Sequence, residues 1–368
     1  MTKTSTITPA AALLAVLCLG PAASARADSS ECDAIWGAAS GIHMRRVTYL
    51  GPFSSIAGDR RADPGDPSHT VELRGWLYFK EGVLNRDRPV VVFNHGHEKT
   101  RSEPCAIAKF FVNRGFVVFA PLRRGHEGQS GSSIRSTGVH TDDYVSACLL
   151  SGTCSCSRCD GHAACPENAL EVDYIRQQYL DVWYQLLYIK GQDAIAADLS
   201  AASGRLADPT RIAIVGHSFG GSLVVFANAR IPEGIGQSVV VDISGAELSW
   251  GPGRPFWESE LSCAMSGQRR PIYFLQPRNG RTLEPTRTLF PLAIDHGYRS
   301  QAAIFAPAPW DPVCAHHEAS CWDASAGEVK PEWKQAHGSF VRDKAQVEEW
   351  GPSVIEFIER HPCSACAF

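Results

Sequence analysis

The chain has 368 residues, of which 44% are hydrophobic and 20% charged, and its formal net charge is −4. This composition excludes a disordered, collagen-like or coiled-coil protein and suits one large α/β domain. The acidic balance, with no long basic run, argues against a nucleic-acid partner.

Taken in chain order, residues 1–27 read as an export signal. Lys3 supplies the positive start, Ala11 to Gly20 is an apolar run too short to span a bilayer, and Ala25-Arg26-Ala27 is a small-residue cleavage site. The expectation is a secreted or periplasmic protein with no stable membrane insertion. Of the 13 cysteines only Cys18 lies in this leader, so an even number remains. That parity fits disulfides in an oxidising compartment, with connectivity open.

The remainder, residues 28–368, reads as one domain. Strands are predicted over Val71–Lys80, Pro89–Asn94, Phe116–Ala120, Arg211–Val215, Ser238–Asp242, Pro271–Gln276 and Ala302–Ala306. Several are unbroken apolar runs, as expected of parallel strands buried on both faces. Helices are predicted over Ala106–Arg114, Val172–Asp198, Gly221–Ala229 and Ala345–Arg360. The alternation indicates a doubly wound α/β architecture, a mostly parallel sheet with helices on both faces. Residues 128–166 break the pattern: they are rich in Ser, Gly and Cys and include CSCSRCDGHAAC. A loop this long reads as a disulfide-held insertion. Cys154, Cys156, Cys159, His162 and Cys165 are also dense enough for zinc, but disulfides suit the compartment better, so no metal is expected.

The chemistry concentrates in RIAIVGHSFGGSLVVFA, residues 211–227. A strand enters Gly216-His217-Ser218-Phe219-Gly220 and a helix leaves it. That context turns a weak G-x-S-x-G pattern into a strong nucleophile signal. Ser218 is the expected nucleophile and the Phe219 N–H one oxyanion donor. The strand VVVFN ends in His95-Gly96-His97, where the second donor is expected, from His97 before Gly96. The base should follow the last strand and precede the last helix. His337 fits this better than His316 or His317, which lie between Cys314 and Cys321. The acid is less plain. Gly280 stands after the strand PIYFLQ where an Asp is usual, leaving Asp242, which closes an apolar strand, and Glu284. Asp242 is preferred because ligands bind at the carboxyl edge of such sheets.

These motifs resemble the α/β-hydrolase superfamily across nearly all of residues 28–368. FVVFAPLRRGHEGQSG and HGSF…EEWGPSVIEFIERH are similar to the secreted dienelactone-hydrolase-like branch, although Ser218 stands where true dienelactone hydrolases use cysteine. GHSFGG followed by VVVD is similar to platelet-activating-factor acetylhydrolases, which take their acid after this earlier strand. The resemblance implies an α/β-hydrolase fold, a Ser218–His337–Asp242 triad and hydrolysis of a small-molecule or polymeric carboxylic ester without a cofactor. Two alternatives are a serine peptidase and an inactive binding protein on the same scaffold. Oligomeric state is not legible in the sequence.

Overall fold

The computed structural model describes residues 32, 35–37, 40–52, 70–80, 88–96, 103–123, 169–190, 207–231, 236–246, 250, 255–277, 283–295, 299–305, 322–323, 328–329 and 331–363. The export signal, the cysteine-rich insertion at 128–166, His97, Gly280, His316 and His317 lie outside them.

An eight-stranded sheet forms the frame. Its strands are β1 (Ile42–Pro52), β2 (Thr70–Lys80), β3 (Arg88–Asn94), β4 (Val117–Pro121), β5 (Ala207–His217), β6 (Val239–Ile243), β7 (Ile272–Pro277) and β8 (Gln301–Phe305). The order across the sheet is β1-β2-β4-β3-β5-β6-β7-β8. β2 pairs antiparallel with both β1 and β4, and every other pairing is parallel.

Alternation along each central strand fills two separate cores. Val90, Val92, Ile212, Ile214, Val240 and Phe274 point to one face. Val91, Phe93, Ala213, Val215, Val241 and Leu275 point to the other. The first face is covered by α2 (Ala169–Lys190), α3 (Phe219–Asn228), α4 (Pro255–Ser266) and α5 (Glu284–Asp295). The second is covered by α1 (Glu103–Val112), α6 (Pro331–Arg342) and α7 (Lys344–Arg360). With apolar residues needed on both sides, these strands carry no polar alternation. Each large buried side chain, such as Phe340 or Trp350, stabilises the fold by about 1.5–3 kcal/mol.

The predicted strands and helices all recur, with ends shifted by a few residues; of the helix predicted over Val172–Asp198, residues 191–198 lie outside the described residues. β1, α4, α5 and α6 are additions. β1 reads IHMRRVTYLGP, too charged to signal a core strand, and its pairing with β2 supplies what its composition does not. A two-stranded ribbon, β9 (Trp322–Asp323) with β10 (Glu328–Val329), precedes α6.

Cysteines in the described residues are oxidised as expected: Cys32 is bonded to Cys105, and Cys263 and Cys363 are also disulfide-bonded. The Cys32 segment is pinned further to α1. Trp36 Nε1 donates to Cys105 O (2.8 Å), and Lys109 Nζ donates to Ile35 O (2.6 Å) and Trp36 O (3.0 Å). At the other end of the chain, Cys363 N donates to Thr210 O on β5 (2.9 Å). No helix among the described residues is long and apolar enough to cross a membrane.

Candidate active site

The order of strands reverses at β3 and β5: β4 follows β3 on one side, and β5 starts the run on the other. In open α/β sheets the crevice at such a switch point takes the ligand. Ser218 follows β5 there, and His95 and Gly96 leave β3 beside it.

Ser218 has φ 55° and ψ −120°, backbone values that an L-residue holds only under constraint. Such a residue costs about 1–3 kcal/mol and persists because its surroundings enforce it. Here Ser218 N donates to Ile243 O (2.9 Å), and α3 begins at the next residue. The turn is tight because glycine allows it. A Cβ on Gly216 would strike the Gly220 carbonyl, and one on Gly220 would strike the backbone of Asn94 and His95.

His337 comes from far along the chain. It lies on α6 rather than in a loop, and it is 7% exposed. His217 Nε2 donates to His337 O (3.0 Å), and the two rings sit 4.6 Å apart. Thus the residue before the nucleophile holds the candidate base. The helix itself is fixed by α7. Trp350 Nε1 donates to Phe340 O (2.9 Å), and Asp343 caps α7 by accepting from Ala345 N and Gln346 N. No hydrogen bond joins Ser218 to His337; catalytic hydrogen bonds often close only on the bound substrate.

Asp242 lies on β6 opposite Gly216 and is 4% exposed. Its carboxylate sits against Gly221 of α3 and Gly245, and accepts from Gly245 N (2.8 Å). Burial pushes this carboxyl up to about 7, with the Gly245 N–H partly opposing the rise. It faces α3, whereas His337 belongs to the helices of the opposite face, and no hydrogen bond joins the two. Asp242 orders the turn through Ser244 and Ala246, which have φ values of 54° and 60°. Glu284 opens α5, is exposed, and pairs with Arg287 (3.2 Å).

The strand-β3 exit is held by a residue that motif reading passed over. Arg123, just past β4, is fully buried. Its Nη1 donates to His95 O and its Nη2 to Gly96 O (2.7 Å). Its guanidinium carbon lies 5.1 Å from the centre of the Phe219 ring. His95 Nδ1 is 2.8 Å from Gly96 O. The described residues contain no cluster of three His, Cys, Asp or Glu side chains placed to hold a metal ion.

No protein-family model matches the sequence, and no curated protein matches it. Solved structures do resemble it. An esterase of Pyrococcus furiosus is 11% identical with a TM-score of 0.50, over 87% of this chain and 92% of that one. The fold is that of the α/β-hydrolases. An acylaminoacyl peptidase of Pyrococcus horikoshii is 15% identical with a TM-score of 0.49, over 88% of this chain but 42% of that one. A dienelactone-hydrolase-like promiscuous phosphotriesterase from metagenomic libraries is 14% identical with a TM-score of 0.46, over 88% and 99%. Within the α/β-hydrolase frame, His217 and Arg123 are the site residues that motif reading missed. Both were visible as polar residues at the carboxyl ends of apolar strands, where a buried polar group needs a reason.

Proposed function

We propose that this chain is an exported serine hydrolase of carboxylic esters. The observation that supports it most is Ser218, held at φ 55° between a parallel strand and a helix N-terminus at the switch point of the sheet. Strain of this kind marks a functional position. The oxidised Cys32–Cys105 pair supports the export reading of residues 1–27.

In this reading Ser218 Oγ attacks the ester carbonyl carbon while His337 takes its proton. The C–O bond to the alcohol breaks, and His337 returns the proton to the leaving oxygen. Water, deprotonated by His337, then releases the acid and restores Ser218. The N–H groups of Phe219 and His97 hold the oxyanion, each worth about 3–4 kcal/mol. Asp242 is the preferred acid because it is the buried carboxylate on the strand beside the nucleophile's, while Glu284 is exposed and paired. Asp242 faces α3, so serving His337 requires its carboxyl to turn toward the opposite helix layer.

The test is hydrolysis of p-nitrophenyl esters of rising chain length by the oxidised protein, with Ser218→Ala alongside. Turnover lost in the variant supports the reading, and equal rates in both overturn it. For the acid, Asp242→Asn is compared with Glu284→Gln. Loss in Glu284→Gln alone reverses the preference.

A further inference from the structure

We propose that His217 is a positioning residue that registers the base against the nucleophile. This rests on the serine-esterase reading above. One peptide bond joins His217 to Ser218, and one hydrogen bond joins it to His337. The two reacting residues are therefore referenced to a single side chain.

The aim of His217 follows from strand geometry. Side chains alternate between the two faces along a strand. Ala213 and Val215 of β5 enter the second core, and His217 continues that face toward α6. There it makes two contacts with the same residue. Its Nε2 lies 3.0 Å from His337 O, and the two ring centres are 4.6 Å apart with 36° between the ring planes. A carbonyl only accepts, so Nε2 of His217 carries the proton. The first contact fixes the backbone of the base, and the second limits the tilt of its ring.

α6 needs such a hold. Gly338 follows His337 in mid-helix, where glycine costs about 0.5–1 kcal/mol relative to alanine. His337 O is gripped from β5 by His217, and Phe340 O is gripped from α7 by Trp350. Packing alone does not explain a histidine at 217. The side chain is buried, and an apolar residue of similar volume would fill the space without the cost of desolvating an imidazole.

The experiment uses the full oxidised chain and p-nitrophenyl butyrate. His217→Phe keeps a ring and loses the donor. His217→Gln loses the ring and keeps an N–H at similar reach. Each is also timed for inactivation by a fluorophosphonate, which reacts with Ser218 as its base takes the proton. In His217→Phe, kcat is expected to fall about 10–100-fold with KM within about twofold, because a misplacement of about 1 Å costs on the order of 10²-fold. The inactivation rate should fall in step while the melting midpoint changes little. His217→Gln should stay within about fivefold of wild type on both readouts, because its amide restores the hydrogen bond. His217→Met matches Gln in length without a donor, so it carries the test where His217→Phe does not fold. A loss in His217→Gln as deep as in His217→Phe or His217→Met overturns the hydrogen bond as the link. Wild-type kcat and inactivation rate in folded His217→Phe or His217→Met overturn the positioning role and leave the esterase reading standing. A wild-type protein inert to every ester and to the fluorophosphonate overturns both.

Discussion

Helix α3 has a polar cluster at each end, and the two clusters are built differently. At its N-terminus stand Ser218, Ser244 and Ala246, all with positive φ, and Asp242, a buried carboxyl whose ionisation is held back to about 7. At its C-terminus stands Asn228, whose amide nitrogen donates to Gln268 Oε1 and Arg270 O (3.0 Å), and whose oxygen accepts from Gln237 Nε2 (2.7 Å). Gln268 in turn donates to Val225 O (3.1 Å) and Ala264 O (2.9 Å). The second cluster ties α3, α4 and the entry to β6 through hydrogen bonds at ordinary backbone angles. The first holds three residues at strained backbone angles, joined to β6, β7 and the start of α3 through backbone hydrogen bonds such as Ser218 N to Ile243 O (2.9 Å) and Ser222 N to Ser218 O (3.2 Å). Backbone strain is what separates the first end from the second, and strain is where a functional role is sought.

Substitutions at the two ends should therefore part activity from stability. The largest effect is expected from Ser218→Ala, which should lower kcat for ester hydrolysis by at least about 10⁴-fold while the melting midpoint changes little. Gly216→Ala should act on both, because its Cβ meets the Gly220 carbonyl. A loss of about 2–4 kcal/mol in denaturant unfolding is expected, together with loss of turnover. Asn228→Leu should show the opposite of Ser218→Ala. Removing the Asn228 partner of Gln237 Nε2 and Gln268 Oε1 should cost about 1–3 kcal/mol, with kcat/KM of the folded fraction unchanged. Turnover lost there in proportion to Ser218→Ala would dissolve the contrast.

Asp242 sharpens it further through pH. Its carboxyl is raised from 3.8 to about 7 by burial, so the folded state favours the neutral form. Its contribution to stability is full below about pH 4 and is lost as pH rises through about 7. The wild-type melting midpoint should decline across that window relative to Asp242→Asn, which has no ionisation to lose. Parallel profiles would show that the carboxyl ionises freely. The smallest effect is expected from Glu284→Gln. Its pair with Arg287 is exposed, so stability should move by less than about 0.5 kcal/mol and ester turnover by less than about twofold.

The sheet was legible because its strands are buried on both faces. VVVFN, RIAIV and VVVDI carry no competing period, and their order with the intervening helices limits the topology. The elbow was legible for a related reason: glycine on both sides of Ser218 is a backbone requirement written in residue identity. His337 was singled out by its place in the chain, but its setting in α6 was not legible. PEWKQAHGSFVR places a glycine in mid-helix and becomes helical by packing Phe340 and Val341 under α7. Arg123 and His217 escaped notice because their partners are backbone carbonyls at 95, 96 and 337, and a carbonyl leaves no mark in a sequence. The face to which Asp242 turns was hidden too, since which side of a strand meets which helix depends on the whole crossover pattern.

The hydrogen bond from Cys363 to Thr210 joins the tail of the chain to the strand that leads into Ser218. α7, which ends just before it, fixes α6 and with it His337. During synthesis at about 5–20 residues per second, Ser218 leaves the ribosome roughly 7–30 s before that tail. Through that interval, on the proposed mechanism, the nascent chain carries Ser218 without a fixed His337 to act as its base. On that mechanism Ser218 gains its partner only once α7 has been made, so a product terminated before α7 would be silent.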